Sequence, residues 1–153
     1  MMSNFKKKKI FSIKDILKVL PHRYPFILID KVKIKNLGND LIAQKNITIN
    51  EPYFQGHFPN QPVLPGVLTI EMMAQAGSFL ILSQVEEPLK KNMFFSSVEN
   101  AKFKKPIVPG DILKIHIKLI KKRLGLCKFK GECFVESDLV ACSNFSANIV
   151  DRI

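Results

Sequence analysis

PGVLTIEMMAQAGSFLILSQ, residues 65–84, opens on a proline and a glycine and continues in Leu, Met, Ala and Gln. It is long enough for roughly four to five helical turns of good helix formers. Apolar residues recur around nearly the whole circumference, which marks a helix buried on all sides. The segments around it read differently. FILIDKVKIK, LIAQKNITI, FFSSVENAKF, DILKIHIKLIKKR, LCKFKGECFVE and LVACSNFSANIV are rich in β-branched and aromatic residues, and several alternate. In residues 111–120, Ile112, Lys114, His116 and Lys118 face one way and Leu113, Ile115, Ile117 and Leu119 the other. One apolar helix among antiparallel strands predicts an α+β domain whose sheet wraps around a central buried helix. Near the start, Ser12 and Asp15 have capping-box spacing, and Ile13, Ile16, Leu17 and Leu20 share a face before Pro21. A short N-terminal helix is predicted there.

The 153 residues suffice for one domain with a substantial core, so residues 1–153 are read as a single domain with a basic tail over residues 1–10. With 46% hydrophobic residues, twelve Phe, two Tyr and no Trp, the composition is that of a globular protein. Cys127, Cys133 and Cys142 show no C-x-x-C pairing and lie in apolar or alternating segments, which points to buried thiols and not to a disulfide framework or a zinc site. The basic start lacks the apolar run of a signal peptide, and the longest apolar segment carries Glu71, Gln75 and Ser78 and is short for a membrane span. A soluble, cytoplasmic protein with no membrane partner is expected. Lys and Arg number 24 against 13 Asp and Glu, a formal charge of +11 that attracts acidic partners. No nucleic-acid motif accompanies it, and the basic residues are mostly dispersed lysines, so nucleic acid is not the expected partner.

Glu71, Gln75 and Ser78 lie at i, i+4 and i+7, a narrow polar stripe on an apolar cylinder that places Glu71 in the core. A buried carboxylate must be paired, hydrogen-bonded or protonated. Burial raises its pKa and produces a proton donor suited to neutral pH. Upstream, GHFPNQPVLPG delivers His57 on a loop stiffened by Pro59, Pro62 and Pro65, with Gly56 and Gly66 allowing turns or close approach to a ligand. The amides near Gly66 and Val67, at the helix start, lack intrahelical acceptors and sit at the positive end of the helix dipole. A base, an acid and an oxyanion site together are what β-elimination from a 3-hydroxy thioester requires, with no metal or organic cofactor. No G-x-S-x-G elbow, P-loop or clustered metal-ligand pattern is present. His22, in PHRYPF, has a turn-stabilising role as its plainer reading, and His116 belongs to the more polar face of a strand.

LPHRYPFILIDKV, KNITINEPYFQGHFPNQPVLPGVLTIEMMAQAG and AKFKKPIVPGD together resemble the hot-dog-fold 3-hydroxyacyl-acyl carrier protein dehydratases of type II fatty-acid synthesis, those with a His and Glu pair. The resemblance implies that His57 is the base at C2, Glu71 the acid toward the C3 hydroxyl, and the Gly66 amide the donor to the thioester carbonyl, with Val67, Gln75 and Phe94 also lining the substrate site. It implies a homodimer unit whose sites draw His57 and Glu71 from different chains, assembled as a trimer of dimers, and an acidic acyl carrier protein as partner. Glutamate, where the isomerising sister enzymes have aspartate, favours dehydration alone. Phe94 stands where relatives often carry a tunnel-gating tyrosine and lacks its hydroxyl. Two rivals remain on the same fold: an acyl-coenzyme A thioesterase and a non-catalytic acyl-carrier-binding protein.

Overall fold

The computed structural model describes residues 8–152. Seven antiparallel strands form one sheet: β1 (Ile10–Phe11), β2 (Lys31–Asn36), β3 (Asp40–Asn46), β4 (Lys91–Phe103), β5 (Ile112–Arg123), β6 (Leu126–Val135) and β7 (Asp138–Asp151), in the spatial order β1-β2-β3-β5-β6-β7-β4. The alternation read in residues 111–120 appears in the sheet, with Leu113, Ile115 and Ile117 buried while Ile112 and Lys118 are exposed. The helix α2 (Gly66–Leu82) lies against β3, β4, β5, β6 and β7, so the sheet curls around it. Met72, Met73, Ala76, Phe79, Leu80 and Leu82 are wholly buried on this helix. Each large apolar side chain so removed from water stabilises the fold by about 1.5–3 kcal/mol. The approach is close: a Cβ on Gly131 of β6 would stand 2.6 Å from the Met73 sulfur, so glycine makes room for the helix. This is the α+β hot-dog arrangement.

Three details differ from the sequence reading. The first helix, α1 (Ile13–Ile16), has a single turn: Ser12 does cap it, its N–H donating to Asp15 Oδ2 at 2.9 Å, but Lys18 and Val19 bond back only three residues. Ile13 is exposed, and Val19 joins Ile16 and Leu20 in the core instead. Residues 26–30 are not in the sheet, because the Phe26 carbonyl and the Leu28 N–H are taken by the Gln75 side chain. The tail expected over residues 1–10 ends earlier, since Ile10 pairs with Lys33; residues 1–7 lie outside the described residues. Cys127 and Cys133 are buried and Cys142 is half-buried, all three free. Among the described residues no helix is long and apolar enough to cross a membrane.

Candidate active site

The loop before α2 is built around His57. A 3-10 turn, Pro52–Gln55, starts on a proline and hands its Tyr53 carbonyl to the His57 N–H at 3.0 Å. The Val63 N–H then donates to the His57 carbonyl at 3.0 Å, and the ring returns the bond, with Nδ1 2.7 Å from the Val63 carbonyl. A carbonyl only accepts, so Nδ1 carries the proton and Nε2 presents its lone pair. The ring stacks on Phe58 at 4.1 Å between centroids. His57 thus has a fixed tautomer and a fixed plane.

A cavity of about 300 Å³ opens beside it, lined by His57, Gly66, Thr69, Phe103, Lys104 and Lys105 among others. The helix α2 begins at its wall. Leu68 and Thr69 make the first bonds to the Pro65 carbonyl, at 3.0 and 3.3 Å, which leaves the Gly66 and Val67 N–H groups ahead of the ladder at the positive helix end. Glycine at 66 lets the Phe103 ring lie close, because a Cβ there would stand 2.9 Å from it and the ring would have to shift. The Thr69 hydroxyl is buried and has no partner among the described residues.

Glu71 lies one turn further along α2, half-buried at the edge of the core and not inside it, with its side chain 20% accessible. Burial pushes its carboxyl above the usual carboxylate range, against the hydrogen bond from Gln75 Nε2 to Oε1 at 3.0 Å. Gln75 is 1% exposed, and its amide is committed to the protein: it also donates to the Phe26 carbonyl at 2.8 Å and accepts from the Leu28 N–H at 2.8 Å. It ties helix to loop. His22, from the same loop, brings Nε2 to 3.7 Å from Glu71 Oε1.

Within one chain His57 and Gly66 therefore share a cavity, while the described contacts of Glu71 run to Gln75 and His22. Val67 is 72% exposed at the helix start, and Phe94 is 58% exposed on β4, which is paired on one side only, with β7. His116 sits opposite Glu132 with its ring 4.8 Å from Phe134, on the outer sheet face away from these groups.

The chain belongs to the FabA-like domain family, whose model matches residues 20–144. The 3-hydroxyacyl-(acyl-carrier-protein) dehydratase FabZ of Oleidesulfovibrio alaskensis is 43% identical over 150 residues, 97% of each chain. The FabZ of Shewanella denitrificans is 51% identical over 133 residues, 86% of each chain. Among solved structures, the dehydratase heterocomplex ApeI:P from Xenorhabdus doucetiae matches with a TM-score of 0.74 over 90% of this chain and 91% of that one; at 19% identity this shows the fold alone.

Sequence reading missed a support behind this FabA-like site. Lys45 is buried, its ammonium 2.5 Å from Glu51 and 3.6 Å from Asp30. It joins the segment that leads into His57 to the end of the loop that carries His22. Beside it, burial and then the charges of Glu51 and Asp30 push the Tyr53 phenol up. The signal was present in β3, where Leu41, Ala43 and Lys45 occupy successive inward positions and the lysine breaks the apolar run.

Proposed function

We infer that this protein dehydrates (3R)-3-hydroxyacyl chains, carried as thioesters on an acyl carrier protein, to the trans-2-enoyl thioester in type II fatty-acid synthesis. Near-full-length identity to dehydratases of that name supports the reaction. At the site, one observation supports the reading: a histidine whose Nδ1 is held by the Val63 carbonyl lies on the loop that leads into a buried helix, and that helix carries a carboxyl whose pKa burial raises.

His57 Nε2 removes the proton at C2. Charge develops on the thioester oxygen, where the Gly66 and Val67 amides receive it at the helix terminus. Glu71 protonates the C3 hydroxyl, which leaves as water. No oxidant, metal or organic cofactor enters the balance. As the resemblance to the dehydratases implies, a complete site takes His57 and Glu71 from opposite chains of a homodimer. The free edge of β4, thirteen residues long with exposed Phe94, Phe95, Val98 and Phe103, is the surface that a second chain covers. In that dimer Phe94 lines the acyl tunnel, and three dimers form the hexamer. Lys104 and Lys105, at the cavity, and the +11 charge steer the acidic carrier protein toward it. The whole chain acts as one domain in the cytoplasm.

The test is to incubate the purified protein with a 3-hydroxyacyl carrier-protein thioester. Enoyl thioester is the expected product. Free acid would assign a thioesterase, and unchanged substrate a binding protein.

A further inference from the structure

His22 takes no part in the proton transfers above, yet it is held in place with some care. The Arg23 guanidinium donates to the carbonyls of Leu17, Leu20 and His22, at 3.1, 2.8 and 2.7 Å, and the Gln75 amide fixes Phe26 and Leu28 on the other side. Between these clasps the imidazole directs Nε2 at Glu71 Oε1, 3.7 Å away, while Nδ1 is buried without a partner among the described residues.

The unpartnered nitrogen assigns the tautomer. A proton on Nδ1 would be a buried donor with no acceptor, which costs more than an unpaired lone pair. The proton of the neutral ring is therefore on Nε2, pointing at Oε1. The ring is neutral because burial, and then the Arg23 charge, hold its pKa below the usual histidine value. Burial raises the pKa of Glu71 as it lowers that of His22, so both shifts favour the uncharged forms at this contact. At 3.7 Å it is too long for a hydrogen bond, as catalytic contacts often are before charge develops. The other groups about the pair are the uncharged Gln75 on α2 and Phe26 ring, 6.3 Å from that of His22, and the charged Arg23 guanidinium, which is bound to the loop carbonyls.

We propose that His22 is the positioning residue of the acid: with Gln75 it directs donors at Oε1, so that Oε2 carries the proton delivered to substrate, and it closes onto Oε1 as Glu71 ionises. The proposal rests on the dehydratase reading. The C2–H bond breaks, its proton goes to His57 Nε2, and its electron pair forms the C2–C3 double bond. The C3–O bond breaks with its pair on oxygen, which takes the Oε2 proton and leaves as water. The charge left on Glu71 meets two N–H donors. His22 exchanges no proton.

The experiment compares His22→Leu and His22→Gln with wild type on a 3-hydroxyacyl carrier-protein thioester, recording kcat, KM and the pH profile of kcat. His22→Leu should lose about ten- to hundredfold in kcat with KM nearly unchanged, because a donor to a developing carboxylate is gone. His22→Gln, which keeps an N–H near the same place, should stay within about threefold. In His22→Leu the alkaline limb should move to higher pH, since the carboxylate is less stabilised; a loop that merely loosened and admitted water would move it lower. Wild-type kcat in His22→Leu, or a limb that stays or falls, overturns the proposal. Should that variant not fold, nitrogen-15 spectra of the three histidines in the wild-type protein decide. His22 should be neutral at pH 7 with its proton on Nε2, and that resonance should shift on Glu71→Gln; a proton on Nδ1 or a charged ring overturns the proposal. Full activity in Glu71→Gln would instead remove the acid itself, and with it this proposal; neither that result nor failure at His22 touches the dehydratase reading, which falls only if the wild-type protein forms no enoyl thioester.

Discussion

Replacing Gln75 with leucine removes one side chain and strands two main-chain groups 47 and 49 residues away. Leucine nearly matches glutamine in size, so the cavity contribution is small and the polar one dominates. In the native protein the Gln75 amide satisfies the Leu28 N–H and the Phe26 carbonyl, both at 2.8 Å, from a side chain that is 1% exposed. The buried Leu28 N–H left without its partner costs about 1–3 kcal/mol, and the part-buried Phe26 carbonyl adds about 1 kcal/mol, so the pair costs about 2–4 kcal/mol. That is a large part of the roughly 5–15 kcal/mol that holds a domain folded. At about 2–4 °C per kcal/mol for a chain of this size, the melting temperature should fall by about 10 °C. Glu71 also loses its donor, so kcat should fall about tenfold while KM changes little. Urea unfolding at fixed protein concentration measures the first effect, and steady-state dehydration at a temperature where the variant is folded measures the second. A loss of stability below about 1 kcal/mol would refute the reasoning, for it would mean that residues 26–28 are not held by this amide.

Glu71→Gln should be more stable than wild type at pH 8. Burial raises the native pKa of Glu71 above the ordinary 4.5, so its contribution is fully present below about pH 4.5 and lost as pH rises through the native value. The advantage of the variant should shrink toward pH 4 in thermal melts, and an advantage independent of pH would contradict the assignment. Chains carrying His57→Ala and chains carrying Glu71→Gln, unfolded together in equal amounts and reassembled, should regain roughly a quarter of wild-type activity, because half the dimers are mixed and each has one intact site. No recovery in mixtures shown to contain mixed dimers would sink the shared site alone. Activity on carrier-protein substrates should fall with salt and with charge reversal at Lys104 or Lys105, and that on small thioester mimics much less; equal sensitivity would remove the carrier-protein steering.

The sheet and its helix were legible because their signals are local and repeated. Alternation in β5 survives as alternate burial, and the apolar circumference of α2 survives as a helix sunk in the sheet. What was not legible depends on contacts between distant segments. FILID has the composition of a strand, but Gln75 competes for its backbone bonds, and nothing in the pentapeptide announces that. The apolar residues of SIKDILKVL suit a longer helix, yet the carbonyls of Leu17 and Leu20 turn to Arg23. The acid and the histidine loop were readable from residue type and order; their supports, Lys45 between Asp30 and Glu51 and His22 against Glu71, required the three-dimensional neighbours.

The most direct measurement is the turnover number of His57→Ala and of Glu71→Gln on a 3-hydroxyacyl carrier-protein thioester, with folding and assembly checked by circular dichroism and sedimentation. Each removes one proton-transfer partner from an otherwise intact site, so kcat should fall by about a hundredfold or more in both. A correctly assembled variant that dehydrates at close to the wild-type rate would contradict the role given to that residue, and two such variants would contradict the site.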